Sequence, residues 1–388
     1  LNAAPKSAGR RKEEKNRRIE DMPTSDAKRN FPLIKLGQKG VDVFLDKYIG
    51  GDVPPLLFTG PEGSGKEYTA IDFARRLLCS KRPACRSADD ACENCKRIFS
   101  LEHPAVNLIY PTPTRGGAEG EGDDAGDVGK ILEAKREDIF AVVRFAKKTS
   151  IRIAQARSMI RRAHTKPFGV KYNIFIIMDA HAMREEAQNA LLKLVEEPPP
   201  GCVLIFVTPN NDAILYTIRS RCQRLRFSPL KPAVIERILV DYYGVDEKRS
   251  RRAATLGRGN IRYALDVATA GGGEAREKAA EIAENVLDAP DSWLLARATE
   301  LARGSKRDEV ALFLKELEMY FRDVMVGDEK LYLNADRKPR ITELHSKWTP
   351  AKLPRVIELV GKSRDDVLRR NLNIDGALAN LFLAIKRT

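Results

Sequence analysis

At 388 residues and 43% hydrophobic content the chain is long enough for more than one domain and a sizeable core. Its longest apolar runs, "IFIIM" and "CVLIFV", suit buried strands and are far too short to cross a bilayer; the amino end is basic and polar with no secretory signal, so a cytoplasmic protein with no membrane partner is expected. Sixty-eight basic against 54 acidic residues give a net charge of +14, which favours polyanionic partners such as nucleic acid but leaves open whether the contact is direct.

In chain order, residues 1–30 are charged and nearly free of large apolar side chains, so a disordered basic tail is expected. Leu1 rather than Met stands first and Met22 precedes the first foldable stretch, so residues 1–21 are expected to be dispensable. From 31 to 228 short apolar strands alternate with helices. "PPLLFTG" reads as a strand entering a glycine loop and "KEYTAIDFARRLLC" as the helix after it. "YNIFIIMDA" and "GCVLIFVTPN" are continuous apolar runs, as strands covered on both faces of a parallel sheet should be. Between them "REEAQNALLKLVEEPPP" is helical, with Ala187, Ala190, Leu191, Leu194 and Val195 on one stripe and Pro198 ending it.

Two excursions interrupt this α/β pattern: a cysteine-rich module at about 79–103, and a glycine-rich acidic run at 115–129, expected to be a mobile loop. After "FSPLKP" the pattern is helical. A small unit at 229–272 closes on "TAGGGE", read as a linker, and a larger all-α domain occupies 273–388.

"GPEGSGKE" sets Gly60, Gly63, Gly65 and Lys66 in the spacing of a phosphate-binding loop. Its glycines let backbone N–H groups turn toward phosphate oxygens, and its lysine reaches the terminal phosphates. Such loops continue with a Ser or Thr whose hydroxyl ligates Mg²⁺, and here Glu67 follows. A carboxylate is itself a possible magnesium ligand, so Glu67 alone does not decide the chemistry. "IFIIMDAH" supplies Asp179 at a strand end, suited to hold the metal through water. Where a glutamate would polarise the attacking water stands Ala180, whose methyl cannot act as a base. Independent ATP hydrolysis is not expected.

Cys79, Cys85, Cys92 and Cys95 form C-x5-C-x6-C-x2-C, whose closing C-x2-C is a common half-site for structural zinc; His103 is a substitute ligand by position. A redox C-x-x-C or four ordinary thiols are the alternatives, and disulfides do not suit a reducing cytosol. Four thiolates leave no open coordination site, so no catalysis falls to the metal. Cys202, in a buried strand, reads as a small apolar residue. "ILYTIRSRCQRLRF" reads as a basic turn. The default for its arginines is a solvated charge, but Arg221 of Ser220-Arg221-Cys222, held at a strand-to-helix junction, could reach a neighbouring subunit's nucleotide.

The order of the glycine loop, the four cysteines, "HPAV", "IRIAQARSMIRR", "IIMDAHAMREEAQNALLKLVEEPP", "VTPNNDAILYTIRSRC" and "GRGNIRYAL" resembles the bacterial clamp loader family of the AAA+ class, over about residues 31–270. "RRNLNIDGALANLFLAIKR" is similar to that family's last helices. The resemblance implies an α/β P-loop AAA+ domain with an inserted zinc-binding module, a helical lid at 229–272 and an all-α collar at 273–388 that drives oligomerisation. It implies a five-subunit ring with gamma/tau ATPase and delta subunits as partners, opening a sliding clamp and placing it on primed DNA.

A degenerate loop resembles the ring's non-hydrolysing stator, with Arg221 serving in trans the ATP of an adjacent subunit. Arg262 takes the sensor-two position and Thr208 the sensor-one region. Whether ATP or ADP, with or without Mg²⁺, is retained at the loop stays open, and the cysteine spacing is wider than the family pattern. Two rival readings are an ATP-hydrolysing gamma/tau-like motor that tolerates Glu67, and an accessory protein that grips DNA directly.

Overall fold

The computed structural model describes residues 34–81, 84, 85, 90–113, 124–143, 145, 149–165, 169–305, 307–329, 332, 334, 337–349, 351–369 and 373–388. The expected tail at 1–30 and the acidic run up to residue 123 lie outside them. The chain divides into two compact units. One comprises the described residues up to Glu247 with Arg258–Arg262, and the other Lys248–Gly257 with Tyr263–Thr388. The stretch 229–272 contributes to both.

The first unit is built on a five-stranded parallel sheet in the order β2-β5-β6-β1-β7, with β1 at Leu56–Thr59, β2 at Val106–Ile109, β5 at Asn173–Ile177, β6 at Cys202–Thr208 and β7 at Gln223–Arg226. Register pairs Leu57 with Phe206, Ile176 with Ile205 and Phe58 with Leu225. Every residue of β1, β5 and β6 is buried, which accounts for the unbroken apolar runs: helices cover both faces of these central strands. A short antiparallel pair, β3 (Thr112–Pro113) with β4 (Thr149–Ser150), lies outside the main sheet.

The helices of this unit are α1 (Lys39–Asp46), α2 (Lys66–Leu78), α3 (Glu93–Phe99), α4 (Asp124–Glu137), α5 (Ile153–Ala163), α6 (Glu185–Glu196), α7 (Tyr216–Arg219) and α8 (Pro232–Asp241). In α6 the expected stripe packs inward: Ala187, Leu191, Leu194 and Val195 join Phe175, Leu204 and Phe206 in one core, with Ala190 half-buried against it. Three expectations are corrected. Residues 124–129 of the supposed mobile loop are the opening turns of α4. There Asp127, Ile131 and Lys135, four apart, are all buried, so the helix is anchored by one face despite its glycines. "QRLR" after Cys222 is not a turn but the edge strand β7. It buries only Leu225, so three exposed polar residues hid its apolar signal. Ser220-Arg221-Cys222 therefore joins a short helix to a strand, the reverse of the expected junction.

The second unit is helical: α9 (Glu247–Gly257) and α10 (Ile261–Ala268), which begin in the first unit, then α11 (Ala270–Asn285), α12 (Asp291–Ala302), α13 (Arg307–Val326), α14 (Lys338–Lys347), α15 (Leu353–Arg369) and α16 (Ile374–Arg387). "TAGGGE" is corrected here from linker to the first turn of α11. Ala275, Ala279, Ala280, Ile282, Ala283 and Val286 form a continuous buried stripe. Such packing offsets the roughly 1 kcal/mol that each glycine costs a helix. Aromatic edges meet in this core, Phe313 with Phe382 and Phe321 with Trp348. The fully buried Asp323 accepts from the backbone N–H of Asn334 at 2.8 Å and from the Arg322 guanidinium at 2.9 Å, so its charge is compensated.

Candidate functional site

The phosphate loop leaves the end of β1 and enters α2. Because β5, β6 and β1 are adjacent and parallel, their carboxyl ends bring Asp179, Thr208 and the loop to one edge of the sheet from three distant parts of the sequence. Gly63 and Gly65 take positive φ, 68° and 83°. A Cβ would lie 2.0 Å from Asn260 Oδ1 at Gly63 and 2.2 Å from a Leu36 methyl at Gly65, so only glycine fits at either place. The loop is also stitched to its surroundings: the Gly63 carbonyl accepts from the Ile261 N–H at 3.2 Å and the Ser64 carbonyl from the Gln38 amide at 3.3 Å.

Lys66 is buried and folds back on its own loop, donating to the carbonyls of Gly60 at 2.7 Å and Pro61 at 2.6 Å. Burial pulls its pKa down to about 8, partly opposed by the carboxylates of Glu62, Asp179 and Glu67. Glu67, where the magnesium hydroxyl would stand, is engaged from two sides. Its Oε1 accepts from the Tyr110 hydroxyl at 2.7 Å and lies 2.8 Å from Lys135 Nζ. Lys135 is buried and also donates to the Ala141 carbonyl at 2.9 Å.

Asp179 follows β5 in the left-handed region, φ 47°, a strained setting for a non-glycine residue. Its carboxyl reaches solvent at the rim of a crowded cleft, and that crowding, then the charge of Glu67, raises its pKa. Ala180 is wholly buried. Thr208 is buried at the end of β6, its hydroxyl accepting from the Asn210 N–H at 3.1 Å and donating to the Asn210 carbonyl at 2.9 Å. Arg262 lies 3.5 Å from Asp138, whose other oxygen accepts from Tyr243 at 2.7 Å. The sequence reading missed Tyr110, Lys135 and Asp138. They belong to no motif, and only the packing of α4 over the sheet edge reveals them.

Arg221 stands apart from the loop. Its guanidinium lies 2.7 Å from Glu196 at the end of α6, donates to the Thr217 carbonyl at 2.9 Å, and remains about two-fifths exposed, 41%. The neighbouring Cys222 is a thiol pushed up to about 12 by burial, as is Cys202, which lies in β6 as expected of a small apolar residue.

The sulfurs of Cys79, Cys85, Cys92 and Cys95 all lie within 4.8 Å of one another, with Cys79 3.6 Å from Cys85 and 3.8 Å from Cys92. A tetrahedral zinc with bonds of about 2.3 Å requires sulfurs about 3.8 Å apart, so the cluster fits a structural metal. Backbone N–H groups of Cys85 and Cys92 point at sulfurs of the set, at 3.4 and 3.3 Å. Arg75 of α2, buried and paired with Asp72 at 2.8 Å, donates to the Cys85 carbonyl at 2.8 Å and approaches Cys95 Sγ at 4.0 Å, tying the cysteine module to α2. His103 is not in the set: its Nδ1 accepts from the Ala105 N–H and its Nε2 faces the Asn94 side chain.

With this geometry in view the chain can be compared with known proteins. Residues 53–231 match the family model described as "DNA polymerase III, delta subunit". The delta-prime subunit of DNA polymerase III from Bacillus subtilis is 25% identical over 335 residues, 85% of this chain and 90% of that protein. The tau subunit from the same organism is 25% identical over 338 residues, 80% of this chain but 53% of tau, so the chain spans about half of that relative. A solved structure of a DNA polymerase III gamma subunit-related protein from Thermotoga maritima aligns over 90% of this chain and 98% of that one, with 18% identity and a TM-score of 0.42.

The parallel sheet, the glycine loop at its carboxyl edge and the helices that follow define an AAA+-like α/β protein, and over residues 53–231 the chain is similar to the delta subunit family of DNA polymerase III. Beyond that stretch the likeness extends to a delta-prime subunit, the Bacillus subtilis protein, matched over 90% of its own length. Among the described residues no helix is long and apolar enough to cross a membrane.

Proposed function

We propose that the chain serves the DNA polymerase III clamp loader as a stator. It does not turn over ATP itself, helps place the sliding clamp on primed DNA, and assembles with gamma/tau ATPase subunits and a delta subunit. The observation that carries the reading is the engagement of Glu67. The carboxylate that would have to serve magnesium is held by Lys135 and Tyr110, and the neighbouring strand end offers only the Ala180 methyl as a base. In this reading Arg221 acts in trans. It sits on a short rigid junction, half exposed and held by one surface carboxylate, so a neighbour's phosphates can draw it off Glu196 at little cost. Thr208, Arg262 and Asp179 form the remains of a nucleotide pocket whose arginine is occupied by Asp138. Residues 31–228 act as the AAA+ domain, 229–272 as a lid and 273–388 as the collar that joins the ring. Cys79, Cys85, Cys92 and Cys95 hold a zinc ion that fixes the module on α2 and α3.

The experiment is ATP turnover by a reconstituted loader with clamp and primed DNA, with and without this chain, beside the chain alone. The expected result is no turnover alone and strong stimulation in the mixture. Turnover by the isolated chain would replace the stator with a gamma-like motor. Tight DNA binding by the isolated chain with a steep salt dependence would favour a direct DNA grip.

A further inference from the structure

Strand β7 closes one edge of the sheet, and beside it lies a groove of about 1040 Å³ between the strand, the segment entering α1, and α8. Six cations line it, Lys35, Lys39, Arg224, Arg226, Lys231 and Arg237, against one acid, Asp42. All six are exposed, and none has an ion-pair partner among the described residues, although the chain elsewhere pairs its arginines freely. Between the charges the floor is aliphatic, with Val41, Leu225 and Leu230.

The backbone adds direction. Gln223 and Phe227 give their N–H groups to the carbonyls of Pro55, just before β1, and Thr59, at its end, at 2.8 and 2.7 Å. By the alternation of a strand, the peptide groups of Arg224 and Arg226 point the other way, into the groove. The next outward position, Ser228, shows what this edge accepts: the Gln38 side-chain amide donates to its carbonyl at 2.7 Å and accepts from its N–H at 3.4 Å, as a neighbouring strand would.

We propose that this groove docks an extended acidic segment of a partner protein. The segment adds a strand to β7, its backbone pairing with Arg224 and Arg226, its carboxylates meeting the six cations, and its alternate aliphatic side chains resting on Val41 and Leu225. A nucleic-acid strand shares the charge complementarity but not the rest. The groove has no row of aromatic platforms for bases, whereas its aliphatic floor and free strand edge suit a peptide. The proposal is independent of the stator reading, since no residue of the phosphate loop, nor Arg221, lines the groove.

The test is fluorescence anisotropy on the full chain with a labelled peptide of about nine residues alternating Asp or Glu with Val, compared with oligo-dT of similar charge. The peptide is expected to bind with a Kd of about 100 μM or tighter, and oligo-dT at least about tenfold more weakly. The double variant Arg224→Glu/Arg226→Glu, both on the surface, should weaken the peptide about tenfold or more. N-methylation of alternate peptide amides on the pairing edge should do the same with charge unchanged. No peptide binding would show that the arginines only guard an exposed edge, and indifference to N-methylation would remove the added strand. Stronger binding of oligo-dT would assign the groove to nucleic acid. A tenfold or greater gain on deleting residues 1–33 would show that the chain's own leading segment fills it. Each of these overturns the proposal.

Discussion

The ammonium of Lys135 lies 2.8 Å from Oε1 of Glu67, on the same oxygen that accepts the Tyr110 hydroxyl at 2.7 Å. A residue that looks in the sequence like a damaged magnesium ligand is thus part of a largely buried ion pair joining α2 to α4. Removing one partner of such a pair leaves a poorly solvated charge behind. Lys135→Met is expected to lower the unfolding free energy by ~1–3 kcal/mol, with Lys135→Met/Glu67→Gln recovering part of the loss. Urea titrations of wild type, Lys135→Met, Glu67→Gln and the double variant read this directly, and no coupling between the two sites would contradict it. Glu67→Thr should not create ATP turnover, because Ala180 still supplies no base.

Lys66 gives a pH signature. Burial holds its folded pKa at about 8 against 10.5 for the ordinary side chain. Between those values the unfolded chain binds the extra proton, so stability rises with pH across the window. Relative to Lys66→Met, the wild type should gain on the order of 2–3 kcal/mol between pH 7.5 and about 11, by the free energy that each pKa unit carries. Urea midpoints of both proteins across that range provide the measurement. Parallel curves would show that the lysine is not buried as a cation.

Much of this was legible in the sequence, and the exceptions share a cause. Strands β1, β5 and β6 and helices α2 and α6 announce themselves because both faces, or one continuous stripe, are buried. β7 does not, since an edge strand with one buried residue has no apolar run to read. The opening turns of α4 and α11 were hidden by glycines, whose low helix propensity is overruled by packing that the local sequence does not record. At the site, the residues within motifs could be named one by one. Their partners Tyr110, Lys135, Asp138 and Glu196 could not, because they arrive through the sheet order and the packing of α4 and α6.

The four cysteines lead to a metal prediction. All four sulfurs lie within 4.8 Å of one another, and two of their separations, 3.6 and 3.8 Å, match the spacing of a tetrahedral site. Metal analysis of the purified chain should find about one zinc per molecule, lost in Cys92→Ser but retained when His103 is replaced by Gln. Chelation should open the segment 79–103 to protease while the helical second unit melts unchanged, because metal binding and local folding are one equilibrium there. A well-folded module without metal would instead make the cysteines ordinary buried thiols.

Arg221 separates a structural role from a catalytic one. Its ion pair with Glu196 is about half exposed on both sides, 41% and 44%, so it stabilises the chain by no more than ~1 kcal/mol. Arg221→Ala should therefore leave the melting temperature within about 3 °C of wild type. In the assembled loader the same change is expected to cut clamp- and DNA-stimulated ATP turnover at the adjoining subunit by ~10³-fold or more, as loss of a charge at the transferring phosphoryl group does. Arg221→Lys should recover little, because an ammonium cannot reproduce the fork of a guanidinium. Glu196→Gln supplies the control: it frees the arginine without removing it, so turnover should be kept or raised. If Glu196→Gln and Arg221→Ala depress turnover equally, the pair is a strut for the α6–α7 corner and the arginine does not reach across to the neighbour's nucleotide.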